Sequence, residues 1–260
     1  MPVFQLSDSL IFPPPSLARE DGLLAVGGDL SVPRLLLAYE QGIFPWYSPG
    51  ESILWWSPDP RLVLFPEEFH LAKRLARTIR QRVFRITFDT DFARVIRACS
   101  QTRRKDGQGT WLDEAMIEAY CQLHDLGHAH SVECWHNGEL VGGLYGVALG
   151  AAFFGESMFS LTPDSSKVAL AALIERLKAW EFELIDCQVG TGHLQRLGAR
   201  EISGEEFSTR LAQAVAKPGR VGPWESPHLS CRTSQTGAEK TRELSEGEAR
   251  VFPRPAPVEK

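Results

Sequence analysis

The sequence predicts an α+β fold, and three observations carry that reading. Between residues 129 and 188, three strand-like segments are followed by a helical pattern and a further strand. Residues 1–65 are instead rich in Pro, Gly and Trp, and after about Lys217 apolar periodicity is lost. The chain has 260 residues, of which 43% are hydrophobic and 23% charged. That is long enough to bury a sizeable core and matches a soluble globular composition. A net charge of −5 gives no global sign of a nucleic-acid partner and leaves only local patches to carry one.

Five cysteines, Cys99, Cys121, Cys134, Cys187 and Cys231, are odd in number and lack CxxC spacing. They argue against a disulfide framework and a zinc knuckle, and fit a reducing compartment. The opening MPVFQLSDSLIFPPP has no basic n-region and no long apolar run, so no signal peptide is expected. The most apolar stretch, residues 140–155, is interrupted by glycines and too broken to span a membrane. The expected location is the cytoplasm, with no membrane partner.

In chain order, the prolines after Phe12 predict an extended segment. Ser31 stands where it can cap a helix over residues 31–39, with Pro33 in its first turn and Gly42 after its end. Trp46, Tyr47, Trp55 and Trp56 lie between prolines; they suit a core or the wall of a ligand site equally. A helix is expected over 70–82, with Leu71, Leu75 and Ile79 on one stripe and Lys73, Arg74, Arg77, Arg80 and Arg82 on the others. Arg85, Arg94, Arg97, Arg103, Arg104 and Lys105 follow, so an acidic chain carries a lopsided basic segment suited to a phosphate backbone. A strand over 85–88 and a helix over 92–100 come next, then a flexible loop at 105–109. Trp111 then precedes a helix over 114–126, either as a lid or as its hydrophobic staple.

The strand pair 130–136 and 139–147 is joined by Asn137-Gly138, a strong two-residue hairpin signal. AAFFGESMFS at 151–160 opens as a strand, breaks at Gly155, and sets Glu156, Ser157 and Met158 side by side. Asp164 or Ser165 is expected to cap a helix through Trp180, and Phe182–Gln188 is the next strand. Three strands, a helix and a strand in this order are the core arrangement of the GCN5-related acyltransferase fold, an analogy that establishes no activity. His124, His128, His130 and Glu133 lack an HExxH pattern or a thiolate pair, so no metal is expected. His193 is a base by type alone, and Ser157 lacks a GxSxG elbow.

GIFPW at 42–46, WWSPDPR at 55–61, FFGESMFS at 153–160 and LIDCQ at 184–188 together resemble the leucyl/phenylalanyl-tRNA–protein transferases. The resemblance runs in order from about residue 4 to about residue 207. It implies a small N-terminal domain (1–65) packed on a GCN5-related acyltransferase-like (GNAT-like) domain (66–216); the Pro-, Ser-, Glu- and Arg-rich composition beyond predicts a disordered tail over 217–260. It implies transfer of leucine or phenylalanine from leucyl-tRNA or phenylalanyl-tRNA to the α-amino group of proteins beginning with Arg or Lys, which creates an N-degron. No metal or small-molecule cofactor is implied, and a monomer is expected. An acyl-CoA enzyme of this fold needs a glycine-rich pyrophosphate loop, and Leu161–Ser166 contains no glycine.

By the same resemblance the catalytic residues are Asp186, Gln188 and Glu156, with Gln188 polarised by Asp186 as proton acceptor. An amide is a poor base, so orientation of the amine by Asp186 and Gln188, with the proton lost through water or the tRNA ribose, is an equal reading. Glu156 suits the cationic N-terminus of the acceptor. Phe153, Met158, Leu144, Leu173, Leu177 and Ile185 suit the aminoacyl pocket. Trp46 and Trp111 are expected to stack the terminal adenosine, and Lys73, Arg74, Arg77 and Arg80 to meet the tRNA backbone. A non-catalytic tRNA-binding adaptor would keep the basic helix and aromatics but has no need of both Glu156 and the Asp186/Gln188 pair.

Overall fold

A computed structural model describes residues 3–101, 112–189 and 192–224. Among these, eleven strands form a four-stranded and a seven-stranded sheet. The smaller sheet is built from β1 (Phe4–Leu6), β2 (Leu23–Gly27), β3 (Phe44–Pro45) and β4 (Leu54–Trp56), in the order β1-β2-β4-β3. Helix α1 (Val32–Glu40) runs between β2 and β3. The tryptophans that crowd this region are core residues whose indole N–H groups find acceptors. Trp55 donates to the Gly27 carbonyl at 2.8 Å and Trp56 to that of Trp46 at 2.6 Å.

The larger sheet begins with β5 (Arg61–Leu64), before the boundary expected at residue 65. Proline-rich composition marks where strands stop, not which sheet the next one joins. Then follow α2 (Lys73–Arg80), β6 (Arg85–Phe88), α3 (Phe92–Gln101) and α4 (Glu114–Asp125). Next come β7 (Ala129–His136), β8 (Glu139–Leu149), β9 (Ala152–Ser160), α5 (Ser165–Ala179) and β10 (Leu184–Gln188). Short helix α6 (Gly192–Gln195), strand β11 (Arg200–Ile202) and α7 (Gly204–Val215) complete the series. The strand order is β11-β5-β10-β9-β8-β7-β6. Only the β9–β10 pair is parallel, as its crossover through α5 requires. Asn137 (φ 52°) and Gly138 (φ 84°) form the expected turn.

Helix α5 covers one face of this sheet and α3 and α4 cover the other. The two faces hold separate apolar clusters. Val132, Leu144, Leu170 and Leu173 belong to the α5 side; Val95, Met116, Tyr120 and Tyr145 belong to the other. Strand β9 does not end at Gly155 as expected. It runs on to Ser160 through a bulge: Gly146 pairs with Gly155 and Tyr145 with Ser157, leaving Glu156 as the extra residue. One extra residue reverses the alternation. Phe153 and Met158 therefore share the α5 face, while Phe154 and Phe159 share the other.

Two further expectations change. Ser165 turns its hydroxyl to the Val141 and Thr162 carbonyls, and Asp164 makes no side-chain cap bond. Asp164 is held instead by Lys167 Nζ at 2.5 Å. The tail expected from residue 217 is not a tail over its first eight residues. Residues 217–224 are mostly exposed but stay tied to the domain: the Gly222 N–H bonds the Gly127 carbonyl, and Trp224 is only 3% exposed because its indole fills an aromatic recess that low apolar content concealed. Residues 225–260, also assigned to the tail, lie outside the described residues, as do the loop at 105–109 and Trp111.

Candidate active site

Parallel pairing of β9 and β10 ends at Phe154 and Asp186. Glu156 and Gln188 stand two residues further along their strands, where the strands part, and the two side chains meet across the gap. Gln188 Nε2 donates to Glu156 Oε1 at 2.9 Å. This contact leaves the Gln188 carbonyl oxygen free of the Glu156 bond and able to accept from another donor. Strand β10 also carries an irregularity: Asp186 pairs with Val63 and Gln188 with Leu62, so Cys187 is the extra residue. Gln188 adopts φ 61°, a left-handed conformation uncommon for a non-glycine residue.

Asp186 is held from two directions. The Arg61 guanidinium grips both carboxylate oxygens, Nε to Oδ1 at 2.8 Å and Nη2 to Oδ2 at 2.6 Å. Oδ1 also accepts the Gln188 backbone N–H at 2.8 Å. Arg61 is 1% and Asp186 0% exposed, and the guanidinium lies over the rings of Phe44 and Phe207. A two-pronged ion pair in so dry a setting is geometrically rigid. It fixes the backbone amide of Gln188 and through it the direction of the Gln188 side chain.

Glu156 is 2% exposed. The Tyr39 hydroxyl from α1 donates to its Oε1 at 2.8 Å, and that of Tyr120 from α4 to its Oε2 at 3.0 Å. The two hydroxyls also contact each other closely. Three contacts among two phenols and a carboxylate need three protons, and the phenols supply only two. A protonated carboxyl supplies the third: it donates to one phenol, reversing that bond, and this phenol passes its own proton to the other. The electrostatics agree: burial pushes the Glu156 carboxyl up to about 7, the hydrogen bonds from Tyr39, Tyr120 and Gln188 restrain the rise, and the Asp186 charge adds to it.

This has a sign that can be measured. The unfolded carboxyl titrates near 4.5. As pH rises from about 4.5 to about 7, the unfolded chain ionises Glu156 while the folded chain keeps its proton, so stability falls through that window and levels off above it. At about 1.4 kcal/mol per pH unit, the loss approaches ~3 kcal/mol. Chemical denaturation at pH 5 and pH 8 is expected to show this loss in the wild type and not in Glu156→Gln. An equal pH response in both proteins would remove the raised carboxyl from the account.

The six residues expected to line an apolar pocket fall in one cluster on the α5 side: Leu144, Phe153, Met158, Leu173, Leu177 and Ile185. All are buried. Glycine at 146 is needed there, because a Cβ would stand 2.6 Å from the Phe153 ring. Trp46 is 8% exposed and packed beside Trp56, so most of its ring is covered by the core. Its neighbour Tyr47 reaches Asp113, the N-cap of α4, at 3.4 Å, which brings this segment beside the start of that helix. Lys73, Arg74, Arg77 and Arg80 are exposed on α2, which packs on α5. Arg74 stands 3.7 Å from Asp164 at the start of α5, although its own side chain is 86% exposed.

Sequence reasoning missed Tyr39, Tyr120 and Arg61. Their signal was present as an unexplained buried Tyr on each of two amphipathic helices and an Arg between prolines and an apolar run, but nothing local shows that all three converge on β9 and β10. The histidines make other contacts. His124 stacks on Phe92 and His130 bonds Asp89, and no group of metal-ligating side chains occurs among the described residues. The side chain of His193 lies outside them.

Comparison with known proteins matches this chain to two family profiles. Residues 63–212 match that of the leucyl/phenylalanyl-tRNA protein transferases and residues 28–59 that of their N-terminal domain. A leucyl/phenylalanyl-tRNA–protein transferase of Syntrophobacter fumaroxidans is 59% identical over 86% of this chain and 96% of its own. One of Solidesulfovibrio magneticus is 55% identical over 93% of this chain and 98% of its own. Among solved structures, that of L-PGS from Bacillus licheniformis aligns with 76% of this chain and 72% of its own at 8% identity and a TM-score of 0.40, too distant to bear on the fold. The relatives and the profiles agree, and the chain belongs to the leucyl/phenylalanyl-tRNA–protein transferase family of aminoacyltransferases.

Proposed function

We propose that this aminoacyltransferase moves leucine or phenylalanine from its tRNA to the α-amino group of proteins that begin with Arg or Lys, creating an N-degron. The observation that carries the reading is the meeting of Glu156, Gln188 and the Arg61-clamped Asp186 where β9 and β10 part. The reaction is aminolysis of an already activated ester. Holding amine and carbonyl together therefore supplies much of the acceleration, and no cofactor enters. The acceptor nitrogen attacks the ester carbonyl, the C–N bond forms, the C–O bond to the ribose breaks, and the ribose oxygen leaves with a proton. In this scheme the Gln188 carbonyl accepts a hydrogen bond from the amine and aims its lone pair. Asp186 holds Gln188 in place, and the proton leaves through water or the ribose. Glu156 faces the acceptor N-terminus.

The aminoacyl side chain enters the cluster of Leu144, Phe153, Met158, Leu173, Leu177 and Ile185. Met158 is adaptable in shape and suits both leucine and phenylalanine. Trp111 and the uncovered part of Trp46 meet the terminal adenosine, and Lys73, Arg74, Arg77 and Arg80 meet the phosphates. The same reading makes the protein a cytoplasmic monomer. It treats the chain before Arg61 as a small domain packed on a GNAT-like one. Among the described residues no helix is long and apolar enough to cross a membrane.

The decisive experiment supplies leucyl-tRNA carrying labelled leucine and a peptide beginning with Arg. Label is expected in the peptide, and folded protein that moves none overturns the proposal. For the donor site, reversing Lys73, Arg74 and Arg77 to Glu is expected to weaken tRNA binding uniformly and to flatten its salt dependence, by about one slope unit per lost phosphate contact. An unchanged slope would take the helix out of the interface.

A further inference from the structure

Residues 217–224 return from α7 along one end of the large sheet. Gly219 passes the β8–β9 turn so closely that a Cβ on it would stand 3.3 Å from the Gly150 nitrogen, and the Gly222 N–H donates to the Gly127 carbonyl at 3.1 Å. The approach at Gly127 excludes any side chain: a Cβ there would lie 2.2 Å from the Gly222 nitrogen. The segment then seats Trp224 in a built recess. Its backbone N–H donates to Asp89 Oδ2 at 2.7 Å, on a carboxylate that also bonds His130 Nδ1 at 2.9 Å and the Ser131 N–H at 2.8 Å. Its carbonyl accepts from Arg176. The indole stacks on the His130 ring at 3.8 Å and 7°, and meets Trp180 edge-on at 5.1 Å.

One contact of Trp224 leads toward the chemistry. Its ring centroid is 5.9 Å from that of Phe153, and Trp224 belongs to the same apolar cluster as Leu144, Met158 and Ile185. Phe153 precedes Glu156 by three residues, about 10 Å along an extended strand. Trp224 touches the Phe153 ring and is itself held by His130, Trp180 and Phe182. We propose that Trp224 is a positioning residue that sets the depth of the aminoacyl pocket by backing Phe153, and so sets the balance between leucyl and phenylalanyl donors. This rests on the proposed function above. A shorter side chain at 224 lets the Phe153 ring retreat, which deepens the pocket, loosens it around leucine and makes room for the larger phenylalanyl group.

The test measures kcat/KM for leucyl-tRNA and phenylalanyl-tRNA with one Arg peptide in wild type, Trp224→Ala and Trp224→Phe. Trp224→Ala is expected to raise the phenylalanyl-to-leucyl ratio about tenfold, the scale on which apolar pockets discriminate. Trp224→Phe keeps a ring behind Phe153 and is expected to hold the ratio within about twofold. A folded Trp224→Ala protein with the wild-type ratio overturns the proposal, because a purely structural tryptophan lowers both efficiencies together. If the alanine variant does not fold, Trp224→Leu carries the same comparison. Wild type that transfers neither group defeats the proposed function itself; wild type that transfers both with an unmoved ratio in the variants defeats only the role of Trp224.

Discussion

Replacing Arg61 by methionine is expected to destabilise the fold by about 3–5 kcal/mol and to abolish aminoacyl transfer. The pair it breaks is dry on both sides, 1% and 0% exposed. Its removal strands the Asp186 carboxylate with the Gln188 N–H as its remaining bond among those described here. Asp186→Ala is expected to be as damaging, since it strands the guanidinium instead. The double variant Arg61→Met with Asp186→Leu separates stability from function. With both charges gone and their volume roughly filled, stability is expected to return to within about 1–2 kcal/mol of wild type, as for other buried pairs replaced by apolar groups. Activity is not expected to return, because nothing then holds the Gln188 amide. Urea denaturation and the peptide transfer assay together check this. A double variant that regains both would reduce the pair to packing.

The contrast between that buried pair and its neighbourhood shows what the chain revealed and what it concealed. The hairpin at Asn137-Gly138, the helix before Trp180 and the strand LIDCQ were legible because each rests on a local pattern of period or turn chemistry. The grouping of Glu156, Asp186 and Gln188 came from motif resemblance, and the two strands do bring them together. Three features were not legible. The bulge at Glu156 leaves no mark in composition, yet it alone puts Phe153 and Met158 on one face; strict alternation would separate them. Arg61 lies 125 residues from its partner, and Tyr39 lies 117 from Glu156. Pairings at that range are decided by topology and not by any neighbouring residue. Trp224 was hidden by the polar sequence around it, which suggested a tail where the structure has a seated ring.

Gln188→Ala is expected to lower kcat by about 10²–10³, the scale for losing one well-aimed hydrogen-bonding group at a reacting centre, with little change in KM for the aminoacyl-tRNA. The backbone at 188 is left-handed, and alanine keeps the Cβ strain that glutamine already bears while losing the amide's hydrogen bonds. Gln188→Gly separates the two effects, since glycine adopts φ 61° without penalty. The glycine variant is expected to be the more stable of the two and equally inactive. Gln188→Glu keeps the shape but loses the Nε2–H donor to Glu156 and adds a second negative charge close to Asp186, and is expected to be inactive near neutral pH. Single-turnover rates across the three variants check the assignment. An alanine variant at wild-type rate would remove the amide from the reaction.

Strand β5 lies between β10 and β11, whose residues are made more than a hundred positions later in the chain. A ribosome that has produced only the first half of the protein has therefore emitted Arg61 with no sheet to receive it. The transferase centre closes only when β10 docks, by the slow, long-range pairing that makes such topologies fold in milliseconds to seconds and exposes their edges meanwhile. An enzyme proposed to tag other proteins for destruction thus passes its own synthesis with an open strand edge.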